Sequence, residues 1–567
     1  MNRIKYVLIV AVLLLTIVVV YHLLFDQNDD LTCPTYPNAN VILIVVDTLR
    51  ADHLGCYGYS RNTSPVIDRL ANEGIIFKNM LAQSSWTRSS TASILTGLYP
   101  KNHGANTREQ RLSEEVILLP EILGKHGYHS YAFVQNVNVG VAVGFNQGYK
   151  DFFTAGETLK DDYPNMHVIT GHLNGDLLQS IQKLKNTSNN FIYIHYIDPH
   201  VPYTPREKYF SKSNKTTFPM SFFRSRALYS MNKSQRLKTI EEMINAYDDE
   251  VLFNDKMIGN LIQTLKEKNV YSNSIIIVTS DHGEEFFEHG GLLHGQTLYE
   301  EQLRVPLIIR LPNGIHKEVN SIANQVDILP TILSLLKIPV PGHIDGIDIL
   351  NIKNRPGPYS YAELDLDGKI FNSIQTTKEK LIEGVIFSKQ KEQKYRWFRE
   401  RAGIKTTGES LELIISSFRR NRTIQVLLDG KVLDQLEITP KTQIINIPLP
   451  AVGEKIVTIK SLTPCRSHAD IGVGNNTQCL AFRLFKSKSV NINDNLIELH
   501  KEYYMLAEDP GELNNGYNQK KFKKIIMQLK KKLKKYKLDK RNIRKSEAPV
   551  KFSKEELNAL KALGYIN

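Results

Sequence analysis

The chain has 567 residues, 41% of them hydrophobic, and a formal net charge of +13. That length buries a large core and predicts two globular units, and only four cysteines exclude a disulfide scaffold. The charge is local: residues 520–545 hold fourteen Lys/Arg against one acid, which is the whole excess. The balanced remainder gives no basis for nucleic-acid binding.

Residues 1–5, with Arg3 and Lys5, precede an apolar run from Tyr6 to about Phe25, and Asp26, Asp29 and Asp30 follow it. About 20 apolar residues is the length of helix that crosses a bilayer. With the positive flank inside, the pattern predicts a cytoplasmic stub (1–5), a transmembrane signal anchor (6–25) and a single-pass membrane protein whose bulk is extracytoplasmic. A cleaved signal peptide is the alternative.

Apolar runs at 40–47, 128–136, 191–198, 274–281 and 305–312 read as strands buried on both faces. Helical patterns at 64–75, 119–127 and 258–269 lie between them. Strand–helix alternation over about 300 residues predicts an α/β domain over 40–400, a mostly parallel central sheet sandwiched by helices. Its functional crevice then lies at the carboxyl ends of the strands. From 405 to 490 the reading changes to strands and turns, with Asp429-Gly430 as a hairpin signal, and predicts an inserted β-sandwich. Cys465 and Cys479 lie in that region, paired if it is extracytoplasmic and otherwise free thiols. Residues 491–567 complete the first domain. They include a basic helix whose Phe522, Ile525, Ile526, Leu529, Leu533 and Tyr536 recur at helical spacing. Its lysines are either solvated or set against anionic lipid headgroups.

Two buried strands end in acids: Asp47 in "VVDTLRADH" and Asp281, followed by His282, in "VTSDHGEEF". A carboxylate leaving a buried strand must be paired, hydrogen-bonded or metal-bound, and two such ends with an imidazole suit a divalent cation. The third element is "SSWTRSSTASILTG" (84–97). Here Thr87 falls near a helix N-terminus, where it is either an N-cap or a hydroxyl favoured for deprotonation.

Together with "SPVIDRLANEG", "HYIDPHVPYTP", "HGQTLYEEQLRVP", "YYMLAEDPGELNN" and the ending "FSKEELNALKALGYIN", these motifs resemble the sulfatase branch of the alkaline phosphatase superfamily. The likeness covers roughly 40–400 and the C-terminus. It implies an alkaline-phosphatase-like fold and an ester hydrolase. The departures carry information. Counting back from Leu95-Thr96-Gly97 puts Thr87 where sulfatases carry the Cys or Ser that becomes formylglycine, and puts Thr91 at their arginine. A rival register makes Ser84 the precursor and Arg88 the arginine. The family's second metal aspartate falls on Thr48, and His282 stands where many members have Asn. Formylglycine is therefore not expected. The set is similar to lipoteichoic-acid synthases and related phosphoglycerol or phosphoethanolamine transferases, in which a threonine attacks phosphorus. That likeness implies one divalent ion (Mn, Mg, Ca or Zn) on Asp47, Thr87, Asp281 and His282, with no second ion expected. Thr87 and His200 are the expected catalytic residues. His294, Asn136, Arg88 and His103 are the expected substrate contacts, and His195 is expected to be structural.

The substrate expected on these grounds is a phosphate or sulfate ester, of a glycan or a lipid headgroup. A threonine lacks the second hydroxyl by which a formylglycine hydrate expels sulfate, so phosphoester chemistry is favoured. A true sulfuric ester hydrolase acting on a sulfated glycan and an inactive surface binding protein are the alternatives.

Overall fold

The computed structural model describes residues 33–154, 168–184, 188–205, 207–211, 217–225, 227–350, 359–367, 369–387, 395–398, 401–406, 410–417, 421–428, 430–449, 455–462, 482–485, 496–538 and 550–562. The apolar run at 6–25, Cys465 and Cys479 lie outside these. Among the described residues no helix is long and apolar enough to cross a membrane.

Eleven strands precede residue 325: β1 (Asn40–Val46), β2 (Ile75–Leu81), β3 (His129–Val134), β4 (Asp151–Thr154), β5 (Asn190–Tyr196), β6 (Ser274–Thr279), β7 (Glu285–Phe286), β8 (Leu292–Leu293), β9 (Arg304–Val305), β10 (Leu307–Arg310) and β11 (Lys317–Asn324). Nine form the central sheet in the order β11-β2-β10-β6-β1-β5-β3-β4, with β9 on β2, while β7 and β8 make a separate hairpin. The five strands read from sequence all form. The sheet is mostly parallel, as expected, and mixed only through the antiparallel pairings of β10 with β6 and β2 and of β9 with β2. Four further strands, β2, β4, β9 and β11, are added to those expected.

β1 shows why the pattern folds this way. Val41, Leu43 and Val45 enter the core on one face and Ile42, Ile44 and Val46 the core on the other. Each such side chain contributes roughly 1.5–3 kcal/mol of burial, which no one-sided strand could collect. Parallel partners β5 and β6 flank β1, so its carboxyl end opens at the middle of the sheet. On one face lies the helix Lys233–Glu267, capped by Asn232 and Gln235 in a reciprocal box.

From residue 360 the chain is strand-rich. An eight-stranded sheet includes Ser360–Leu366, Lys369–Gln375, Lys380–Phe387 and the late strand Leu496–Tyr504, and continues into strands of the 401–461 region. A four-stranded sheet faces that region over a core containing Leu411, Leu413, Ile424 and Val457. The basic helix forms over Lys523–Leu538, with Ile526, Leu529, Leu533 and Tyr536 packed on Ile374, Leu381 and Tyr503.

The C-terminal segment is stapled to the first domain through His289. Its Nδ1 donates to Glu301 Oε1 (2.8 Å), its Nε2 donates to the Glu512 carbonyl (3.1 Å), and its ring stacks on Tyr299. Burial opposes the charge, but Glu301 and the Glu512 carbonyl outweigh it and raise the His289 pKa from 6.5 to about 9. A raised folded-state pKa makes this stabilisation complete below pH 6.5 and lost as pH rises through about 9. The Tm advantage of wild type over His289→Gln should therefore shrink between those pH values, as followed by thermal melts across the range.

Candidate metal and ester site

Asp47 continues β1 by one residue, its N–H donating to the Tyr196 carbonyl (2.9 Å). The chain then turns sharply at Thr48, whose φ of 55° lies in the left-handed region. A β-branched residue there is strained by about 1–3 kcal/mol. Contacts hold it: Thr48 N–H donates to Asp281 Oδ1 (3.2 Å), and Tyr247 OH donates to the Thr48 carbonyl (2.8 Å). The strained turn thus binds the end of β1 to the segment after β6. Gln325 completes this by donating to the Asp281 carbonyl (2.6 Å).

Thr87 enters from a third element, the wholly buried helix Thr87–Thr96, which Gly97 ends at φ 66°. The N-cap position is Trp86, so Thr87 is the first helical residue and not a cap. Its hydroxyl lies beside the unsatisfied N–H groups and the positive end of the helix dipole.

Thr87 Oγ1 lies 3.2 Å from His282 Nε2. The same nitrogen is 3.5 Å from Asp281 Oδ2 and 4.0 Å from Asp47 Oδ1. Both of these carboxylate oxygens are buried and accept no hydrogen bond. Atoms bonded at about 2.0–2.2 Å to one tetrahedral centre stand roughly 3.3–3.6 Å apart. Asp47, Asp281 and His282 each offer a ligand atom within 4.8 Å of the others, and the two carboxylate oxygens have the unmet acceptor capacity that a divalent cation would fill. His282 Nδ1 is held by the Gly283 carbonyl (2.9 Å), which leaves the Nε2 lone pair for a metal. Burial first, and then the Asp281 charge, raise the Asp47 pKa, so two carboxylates here call for a neutralising ion. The His289 cluster offers a second set of acids with Glu285 and Glu301. Both its ring nitrogens, however, serve as donors, as described above.

The expected substrate contacts divide. Asn136 donates through Nδ2 to Asp47 Oδ2 (2.6 Å), orienting that ligand. His294 packs 4.4 Å from the His282 ring, and His200 4.8 Å from His294. Burial lowers the pKa of both, with His294 adding to the effect on His200, so the two are neutral imidazoles. Arg88 and His103 are not brought to the cluster. Arg88 is buried over the Trp86 ring and donates to the carbonyls of Thr107, Arg108 and Gln110 and to Asn138 Oδ1. A lone cation in so enclosed a place needs those acceptors, and its role here is to fix the 107–110 loop. His103 sits against Ser93 Oγ, on the sixth residue after Thr87 in the same helix, and accepts from Ala105 N–H. Burial pushes its pKa down to about 3.

Sequence reasoning gives no site role to four residues that the fold brings here. His195 lies 3.4 Å from Asp47 Oδ2 and is held in turn by Tyr193 OH (2.9 Å). Glu284 bonds His294 Nδ1 (3.0 Å), and Tyr203 OH donates to Glu284 (3.0 Å). Burial raises the Glu284 pKa to about 8. The adjacency of Glu284 to His282 in "DHGEE" was the available signal.

With this geometry stand three comparisons. A family model described as Sulfatase matches residues 39–338. The arylsulfatase of Clostridium perfringens (strain 13 / Type A) is 24% identical over 424 residues, covering 63% of this chain and 87% of that protein. Among solved structures, one in complex with its substrate D-glucosamine-2-N,6-O-disulfate superposes with a TM-score of 0.58 at 17% identity, over 88% of this chain and 98% of the other. The phosphonate monoester hydrolase of Agrobacterium radiobacter gives 0.56 at 15% identity, over 89% and 96%. The last two share this fold.

Proposed function

We propose, from the premise that this chain belongs to the sulfatase family of hydrolases, that it cleaves or transfers phosphoesters, with Thr87 as the nucleophile. The observation that carries this reading is Thr87 Oγ1, 3.2 Å from His282 Nε2 among two carboxylates with unmet oxygens. Asp47, Asp281, His282 and Thr87 would hold the cation, whose chemistry when bound is Lewis acidity at the reacting oxygens. Asn136 and His195 keep Asp47 in place.

Thr87 Oγ1 loses its proton to solvent water and forms the new bond to phosphorus as the bond to the leaving oxygen breaks. His294, held through Nδ1 by Glu284, supplies the proton that the leaving alcohol takes. His200 and His294, both neutral, suit a substrate group carrying one negative charge better than two. A diester fits that condition. The resulting phospho-threonine is released by in-line attack of water or an acceptor alcohol.

In this reading the segment 6–25 anchors the chain, with the site on the extracytoplasmic side. A second reading, sulfuric ester hydrolysis, draws on the arylsulfatase relative and on the disulfated substrate of the structural neighbour. Purified protein with Mn²⁺ or Zn²⁺ is expected to release 4-nitrophenolate from 4-nitrophenyl phenyl phosphate at least tenfold faster than from 4-nitrophenyl sulfate (a gap of about 1.4 kcal/mol in the barrier). The reverse order would favour the sulfate reading.

A further inference from the structure

Three segments that the ester chemistry leaves without a role meet beside His294. The first is the 107–110 loop, fixed from below by buried Arg88 and carrying Arg108. The second is the tip of the hairpin Ser360–Leu366/Lys369–Gln375, where Leu366 pairs with Lys369 across the turn. The third is the segment just after His294. Gly295 lies so close to the hairpin that a Cβ there would stand 3.0 Å from Leu366 Cδ2. The hairpin strand is also tied to the segment leading to Thr87, since Glu363 N–H donates to the Gln83 carbonyl (2.8 Å).

Two cations stand at this junction. Arg108 makes a fork with Asp367, Nε to Oδ1 and Nη2 to Oδ2, both at 2.8 Å. Lys369 Nζ donates to Gln296 Oε1, two residues after His294. Burial lowers the Lys369 pKa, with Asp367 opposing and Arg108 adding. The Arg108–Asp367 pair is half open, its side chains 29% and 51% exposed. Such a pair is worth only about 0–1 kcal/mol, and Asp367 is held at φ 51° in the turn. An incoming anion can therefore displace Asp367 from the Arg108 fork at little cost, and a planar carboxylate or a tetrahedral oxyanion matches that fork.

We propose that Arg108 and Lys369 form a second anion subsite, which selects esters bearing another negative group beside the reacting one, with Asp367 as its internal competitor. This rests on the ester reading above and adds the substrate class: esters of polyanions or of acidic alcohols.

The test uses metal-loaded Thr87→Ala protein, so that binding is read without turnover. Dissociation constants are measured by calorimetry for 4-nitrophenyl phenyl phosphate and for its analogue with a meta-carboxylate on the phenyl ring. The carboxylate analogue is expected to bind about tenfold more tightly, as one charge-assisted contact gives. Adding Arg108→Gln or Lys369→Gln should reduce that preference to near unity. Adding Asp367→Asn should increase it, whereas a merely structural Arg108–Asp367 staple would make that variant and Arg108→Gln move together. Equal binding of the two diesters, or a preference unchanged by Arg108→Gln, overturns the subsite. Failure of both diesters to bind overturns the phosphoester reading, and the subsite with it.

Discussion

Thr87→Ala is expected to lower kcat/KM on its best ester by a factor on the order of 10³ to 10⁶, as loss of a covalent nucleophile does. The fold should survive. The residue lost is at the first position of a helix whose cap is Trp86, and its hydroxyl lies against His282 Nε2. Deleting such a contact costs about 1 kcal/mol. Thr87→Ser, which keeps a hydroxyl at the same place, should retain measurable turnover. Ser84, the rival nucleophile in the sequence, has a buried hydroxyl that meets no hydrogen-bond partner. Ser84→Ala should accordingly leave turnover within about threefold of wild type. Release of product that survives Thr87→Ala would remove Thr87 from the mechanism.

The second large effect concerns Asp281 and the ion. A cation bound at 1,000 times its Kd stabilises the folded state by about 4 kcal/mol, so a chelator should lower the Tm of wild type and abolish turnover together. Asp281→Asn removes one of the two buried carboxylates that repel each other without a cation. Its activity should fall at least as far as that of Thr87→Ala. Its stability should move the other way: in chelator, Asp281→Asn should melt above wild type, and added Mn²⁺ or Zn²⁺ should shift it little. Thermal melts of both proteins, with and without metal, check this. A metal-dependent Tm rise in Asp281→Asn equal to that of wild type would mean that the ion binds elsewhere.

Much of the site could be read from the sequence because its chemistry sits at strand ends. Asp47, Asp281 and His282 follow continuous apolar runs, and Thr87 lies a fixed count before Leu95-Thr96-Gly97. What stayed hidden depends on distance in space. Hydrophobic pattern carries no direction, so β10 could be placed but not oriented. β2 was missed because Lys78 and Asn79 interrupt an apolar run that follows directly on a helix. His195 was read as structural, yet it supports a metal ligand, a contact that only the β1–β5 register creates. Arg88 looked like a substrate cation beside the nucleophile, and only the fold shows that the 107–110 carbonyls enclose it. The Glu284–His294 pair spans ten residues and a hairpin. No periodicity predicts that contact.

Intact-mass and peptide mass spectrometry of acid-quenched protein, after mixing with 4-nitrophenyl phenyl phosphate and metal, reads the covalent step itself. The expected result is a phenylphosphoryl adduct on the peptide containing Thr87, present in wild type and absent in Thr87→Ala. Turnover with no adduct on Thr87 in wild type and an adduct at Ser84, or an oxidised aldehyde at that serine, would show that a different residue does the work.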